Sequence, residues 1–124
     1  MSKRILIVDD ESCFRDIMKF SLESEGYKAS LAVNGEEAMR ELKKERPHLM
    51  LLDLNMPIMD GHRVCELVRA NDDLKDIPII LVTAMEADVA AIKVKNNLAN
   101  DYIIKPFEFE ELFGKMVRLI GPLV

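Results

Sequence analysis

The chain has 124 residues, 49 % of them apolar, and carries 22 acidic against 17 basic side chains for a formal net charge of -5. That length suits one domain with a single core spanning residues 1–124. The acidic balance excludes nucleic-acid binding through clustered Lys and Arg, and no apolar run approaches the ~20 residues of a membrane span. With no charged leader followed by an apolar stretch, and with Cys13 and Cys65 outside any CxxC spacing, the sequence reads as a cytoplasmic protein. Its two thiols are expected to be reduced packing residues.

In chain order, "RILIV" (4–8) is a continuous β-prone run that ends in the acidic pair Asp9-Asp10. Phe14, Ile17, Met18 and Leu22 recur at helical spacing and predict a first helix with those four on its inner face. "KASLAV" (28–33) is a shorter, mixed strand of the kind found at sheet edges. Asn34 followed by Glu37 predicts an N-cap with a reciprocal Glu and a helix starting at Gly35, with Ala38, Met39 and Leu42 inward. Pro47 stops it before the third strand, "LMLL" (49–52), and the loop from Asp53 through Asn55, Pro57 and Gly61 follows.

A third helix places Val64, Leu67 and Val68 inward, and "IPIILVT" (77–83) is the fourth strand. Residues 85–97 form the weakest helix, expected to anchor through Val89 and Ile92 and to be the most mobile element. "DYIIK" (101–105) is a second edge strand, and Phe109, Leu112, Phe113, Met116 and Ile120 stripe a last helix that Gly121-Pro122 ends. Continuous apolar strands alternating with amphipathic helices predict an α/β doubly wound sheet of five parallel strands, with five helices on two faces. Such sheets bind ligands at the carboxyl ends of their strands.

Those ends carry Asp9 and Asp10, Asp53, Thr83 and Lys105. Separately, Asp9-Asp10 fits a helix cap and Asp53 an Asx-turn. Capping does not explain why acids, a hydroxyl and an ammonium end at one edge. Crowded carboxylates need a shared cation, and hard oxygen donors without His or Cys select Mg²⁺ or a similar ion. His48 and His62 lack metal-site spacing and are read as ordinary surface or helix-start residues.

"ILIVDDE", "LLDLNMPIMDG", "IILVTAM" and "DYIIKPF" stand in an order that resembles the signature blocks of the response-regulator receiver domain of two-component signalling. The resemblance implies a flavodoxin-like fold with strand order 2-1-3-4-5 and phosphorylation of Asp53 by a histidine kinase or phosphotransfer protein. It implies that Asp10, Asp53 and the backbone carbonyl of Asn55 hold Mg²⁺ or Mn²⁺, with Asp9 beside them, and that Thr83 and Lys105 contact phosphoryl oxygens. Ala84 and Pro106 support these residues, the Lys105-Pro106 bond is cis, and Tyr102 is the switch aromatic. The face made by the fourth helix, fifth strand and fifth helix addresses a downstream effector or output domain, as a monomer or weak dimer. Such a domain catalyses only its own phosphotransfer and dephosphorylation.

Two departures from the family pattern stand out. Leu98 occupies a usual Gly, so the fourth helix is expected to end early at Asn96-Asn97, where Asn takes the left-handed cap. By the same resemblance Met85 flanks the path of hydrolytic water and, with Asn55, is expected to tune dephosphorylation toward a persistent phosphorylated state. Three other readings compete. A Mg²⁺-dependent Asp phosphatase expects a second Asp where Asn55 stands. A flavin carrier expects a hydroxyl-rich loop in place of the acidic "DDESC". A pseudo-receiver docking module has no need of Asp10, Asp53, Thr83 and Lys105 together. With no output domain after the last helix, the chain is expected to be a stand-alone receiver or a part of a longer regulator.

Overall fold

The computed structural model describes residues 2–84 and 87–123. In chain order the elements are β1 (Arg4–Val8), α1 (Ser12–Glu25), β2 (Lys28–Ala32), α2 (Gly35–Lys44), β3 (Leu49–Leu52), α3 (Gly61–Ala70), β4 (Ile79–Thr83), α4 (Ala87–Lys95), β5 (Asp101–Ile104) and α5 (Phe109–Ile120). The strands form one parallel sheet in the order β2-β1-β3-β4-β5. The two mixed strands are therefore its edges, and the continuous apolar runs its centre. β4 begins two residues later than its apolar run suggests, because Pro78 has no N–H to donate to the ladder.

Alternate side chains divide the core in two. Leu6, Val8, Met50, Leu52, Ile79 and Leu81 face α2, α3 and α4 through Ala38, Leu42, Val64, Cys65, Val68 and Ala90. Ile5, Ile7, Leu49, Leu51, Ile80 and Val82 face α1 and α5 through Met18, Leu22, Leu112 and Met116. Five helices thus cover two faces as the alternation predicts.

Helix ends follow their chemistry. Asn34 Oδ1 accepts from Glu37 N at 2.9 Å, and Glu37 Oε1 accepts from Val33 N at 3.1 Å. α4 ends at Lys95, and Asn97 takes φ 62°, the left-handed stop expected where Leu98 replaces Gly.

Several expected faces differ. Val89 and Ile92 are exposed and Ala90 is buried, so α4 meets the sheet through Ala90 and Val94 at i,i+4 spacing and presents its larger side chains outward. In α1, Ile17 is 55 % exposed, because the buried line runs Phe14, Met18, Leu22. Cys13 is exposed on the same helix, while Cys65 packs in the core, where burial pushes its thiol up to about 11. His48 is half-buried at the entry to β3 and donates from its backbone N to Arg4 O at 2.8 Å. Its Nδ1 accepts from Arg4 N at 2.9 Å. His62 does lie at the start of α3.

Candidate functional site

The carboxyl ends of β1, β3, β4 and β5 deliver their polar residues to one cleft of about 290 Å³, lined by Asp10, Glu11, Asp53, Asn55, Thr83, Ala84 and Lys105. The register explains this convergence. β1 ends beside β3 with Val8 opposite Leu52, and β4 ends beside β5 with Thr83 opposite Ile104, so the next residues emerge at one edge.

The acidic loop after β1 is held from several sides. Asp9 N donates to Ala32 O at 3.1 Å, Glu11 N to Asp9 Oδ1 at 2.9 Å, and Arg15 Nη1 to Asp9 O at 2.8 Å. The N-cap of α1 is Glu11, with no side-chain cap bond, so neither Asp9 nor Asp10 is spent on capping that helix. Asp9 is buried and Asp10 exposed, and Asp9, Asp10 and Asp53 each offer a carboxylate oxygen within 4.8 Å of the others. Such an all-carboxylate cluster fits a hard divalent cation.

Asp53 sits at the head of a tightly placed loop. Its Oδ1 accepts from Asn55 N at 3.2 Å, the Asx-turn contact that its position alone suggests. A Cβ on Gly61 would stand 2.2 Å from Asp53 O, so only glycine lets α3 start this close to the end of β3. Between them Ile58 takes φ 70° and Met59 N donates to Pro57 O at 2.8 Å, a sharp turn that holds a branched residue in a strained, left-handed conformation.

Lys105 closes the opposite wall. Its Nζ donates to Asp9 Oδ2 at 2.8 Å and lies 3.6 Å from Glu11 Oε1 and 4.0 Å from Asp53 Oδ2. Burial works against its charge, but the Asp9 hydrogen bond and the Asp9, Asp53 and Glu11 charges outweigh it and raise the ammonium pKa. Asp53 goes the other way for a carboxylate. Burial, joined by the charges of Asp9 and Asp10, lifts it to about 6, against the lowering pull of the Asn55 N–H and Lys105. Thr83 is buried beside this group, and Lys105 N donates to Thr83 O at 2.9 Å. The Lys105-Pro106 bond is cis, with Pro106 exposed.

Of the residues expected at the strand ends, Asp10, Asp53, Thr83 and Lys105 therefore line the cleft, and Asp9 is buried behind it, bonded to Lys105. Tyr102 stands on β5 apart from it, partly buried against the α2–α3–α4 core. Met85 lies outside the described residues. Reading strand ends alone misses Glu11, Arg15 and Phe14, because these sit at the start of α1; their signal is that they lie within one or two helical turns of the acidic pair.

A family model for the response regulator receiver domain matches residues 5–117. The response regulator MprA of Mycobacterium ulcerans is 38 % identical over 120 residues, covering 97 % of this chain and 51 % of that protein. The chain thus spans about half the length of the curated relatives it matches. A structure of a response regulator from Chloroflexus aurantiacus superposes with a TM-score of 0.90 at 32 % identity, covering 98 % of this chain and 100 % of that one. The structure of TrrA from Thermotoga maritima in complex with Mg²⁺ and BeF superposes with a TM-score of 0.83 at 38 % identity, covering 94 % and 98 %.

Proposed function

The chain belongs to the response regulator receiver domain family, and from that premise we propose that Asp53 accepts a phosphoryl group from a histidine kinase or phosphotransfer protein and so switches affinity for a downstream partner. The observation that carries this reading is a buried carboxylate that shares its cleft with two other acids and a lysine ammonium 4.0 Å away. Asp10, Asp53 and the Asn55 carbonyl, with Asp9 behind them, are the donors for Mg²⁺ or Mn²⁺; the likeness to a relative that binds Mg²⁺ with BeF supports this. When bound, the ion supplies neutralisation of phosphoryl charge.

In the transfer, a carboxylate oxygen of Asp53 attacks phosphorus while the P–N bond to the donor imidazole breaks and its electron pair returns to the ring. The transition state spreads charge over the equatorial phosphoryl oxygens. Lys105 Nζ and the Thr83 hydroxyl bind those oxygens from fixed positions, which is where most of the protein's own rate enhancement arises. In the separate step that resets the site, water attacks phosphorus, the P–O bond to Asp53 breaks, and the carboxylate leaves as inorganic phosphate is released.

A phosphorylated Asp53 adds close to two negative charges and three acceptors. Thr83 is drawn to them, Tyr102 turns inward, and the face of α4, β5 and α5 changes shape for an effector or output domain. The protein acts in the cytoplasm, as a monomer or as a weak dimer through that face. Met85 and Asn55 set the phosphoryl lifetime. Incubation with acetyl phosphate and MgCl₂ tests the reading: intact mass should rise by one phosphoryl group, and Asp53→Ala should take up none. Beryllofluoride with Mg²⁺ should shift amide resonances of residues 87–104; a wild type that stays unmodified, or a spectrum that stays fixed, contradicts it.

A further inference from the structure

We infer that Phe14 is a positioning residue for this chemistry, its ring holding the Lys105 ammonium in the cleft through a cation–π contact. The inference rests on the reading of Asp53 as phosphoacceptor. Lys105 Nζ lies 4.0 Å from the centroid of the Phe14 ring, well inside the ~6 Å over which the negative face of an aromatic ring attracts a cation. The same nitrogen donates to Asp9 at 2.8 Å. An ammonium has three N–H donors. With the ring on one side and Asp9 on another, the remaining donor capacity is left for Glu11 Oε1 at 3.6 Å and Asp53 Oδ2 at 4.0 Å.

The ring is itself braced. Phe107 meets it edge-on at 6.3 Å and 78°, and Phe109 meets Phe107 at 5.8 Å and 75°. Phe107 is two residues beyond Lys105, so the brace and the lysine ride on one loop. Beside the ring an apolar groove of about 420 Å³ opens, lined by Phe14 and Lys105 themselves together with Ile17, Pro106, Phe107 and Phe109. A lysine stem is four methylenes long and lies readily along apolar surface with its charge in water. Lys105 borders both this groove and the acidic cleft, so without an attracting ring at position 14 its ammonium is free to swing away from Asp53. An aliphatic side chain fills the space but attracts no cation.

The test compares wild type, Phe14→Leu, and a series in which Phe14 is replaced by mono-, di- and trifluorophenylalanine, which keep the ring's shape while draining its face of electron density. Three quantities are read: the rate of phosphorylation by acetyl phosphate at saturating Mg²⁺, the Mg²⁺ affinity, and the NMR shift of the Lys105 ε-protons. Phe14→Leu should slow phosphorylation about fivefold, and successive fluorines should slow it in graded steps. Mg²⁺ affinity should hold. The Lys105 ε-protons should be shifted upfield by the ring in wild type and lose that shift in Phe14→Leu. A flat fluorine series, an unchanged Phe14→Leu rate, or ε-protons without an upfield shift overturns the inference while leaving Asp53 phosphorylation intact. A wild type that takes up no phosphoryl group overturns the functional reading, and this inference with it.

Discussion

Lys105 and Arg69 are two partly buried cations at opposite ends of the sheet, and they are used differently. Arg69, at the end of α3, donates from Nε to Leu98 O at 3.2 Å, from Nη1 to Lys75 O at 2.8 Å and Ile77 O at 2.7 Å, and from Nη2 to Asn100 Oδ1 at 2.9 Å. Four of its five donors are matched by neutral acceptors, and together they tie α3 to the segments entering β4 and β5. Lys105 meets three carboxylates and makes a close bond with Asp9 alone. The first cation is nearly saturated and contributes stability. The second stands among crowded acids, which cost stability without metal and, on the proposed reading, serve to hold an ion and a phosphoryl group.

The strongest way to break this contrast is Asp53→Asn. It should abolish phosphoryl uptake and, at neutral pH without metal, stabilise the fold by roughly 2–3 kcal/mol, since holding a carboxyl at about 6 instead of 3.8 penalises its ionised form by about 1.4 kcal/mol per unit. The sign is checkable by pH. A raised folded pKa gives stability that is fully present below about 3.8 and lost as pH rises through about 6. Urea melts of metal-free wild type should show that loss, and Asp53→Asn should not. Next, Lys105→Ala should slow phosphorylation by acetyl phosphate about 100-fold, the scale of losing one charge-stabilising donor.

At the other end of the sheet the effect should fall on stability alone. Arg69→Met should cost roughly 1.5–3 kcal/mol in a urea melt, because the acceptors it serves lose a charged donor, while the phosphorylation rate stays that of wild type. A slowed rate in Arg69→Met would blur the division between the two cations. The smallest effect belongs to His48. Burial, aided by Arg4 and Lys3, lowers its pKa, so its contribution is full above about 6.5 and is lost as pH falls below that. His48→Gln should flatten this part of the stability–pH curve.

The strand ends were legible in the sequence because each is a continuous apolar run stopped by a polar residue, and parallel pairing brings such stops to one edge. Asp9, Asp10, Asp53, Thr83 and Lys105 follow from that alone. Helix faces were less legible. In α4, apolar residues stand at 87, 89, 90, 91, 92 and 94, and the sheet accepts the small Ala90 face, leaving Val89 and Ile92 outside. Ile17 is exposed for a similar reason, one position away from the Phe14–Met18–Leu22 line. Arg69 gave no signal at all, since three of its four acceptors are main-chain carbonyls, which every residue carries. Phe14 was visible as a core residue; its place over Lys105 depends on how α1 meets the loop after β5.

The most direct test of the central claim is to locate the phosphoryl group. After reaction with acetyl phosphate and Mg²⁺, borohydride reduction converts an aspartyl phosphate to homoserine, and peptide mass mapping reads its position. Homoserine at position 53 alone is the predicted result. Homoserine at position 9 or 10, or at no position in protein exposed to donor and metal, would contradict the assignment of Asp53 as phosphoacceptor.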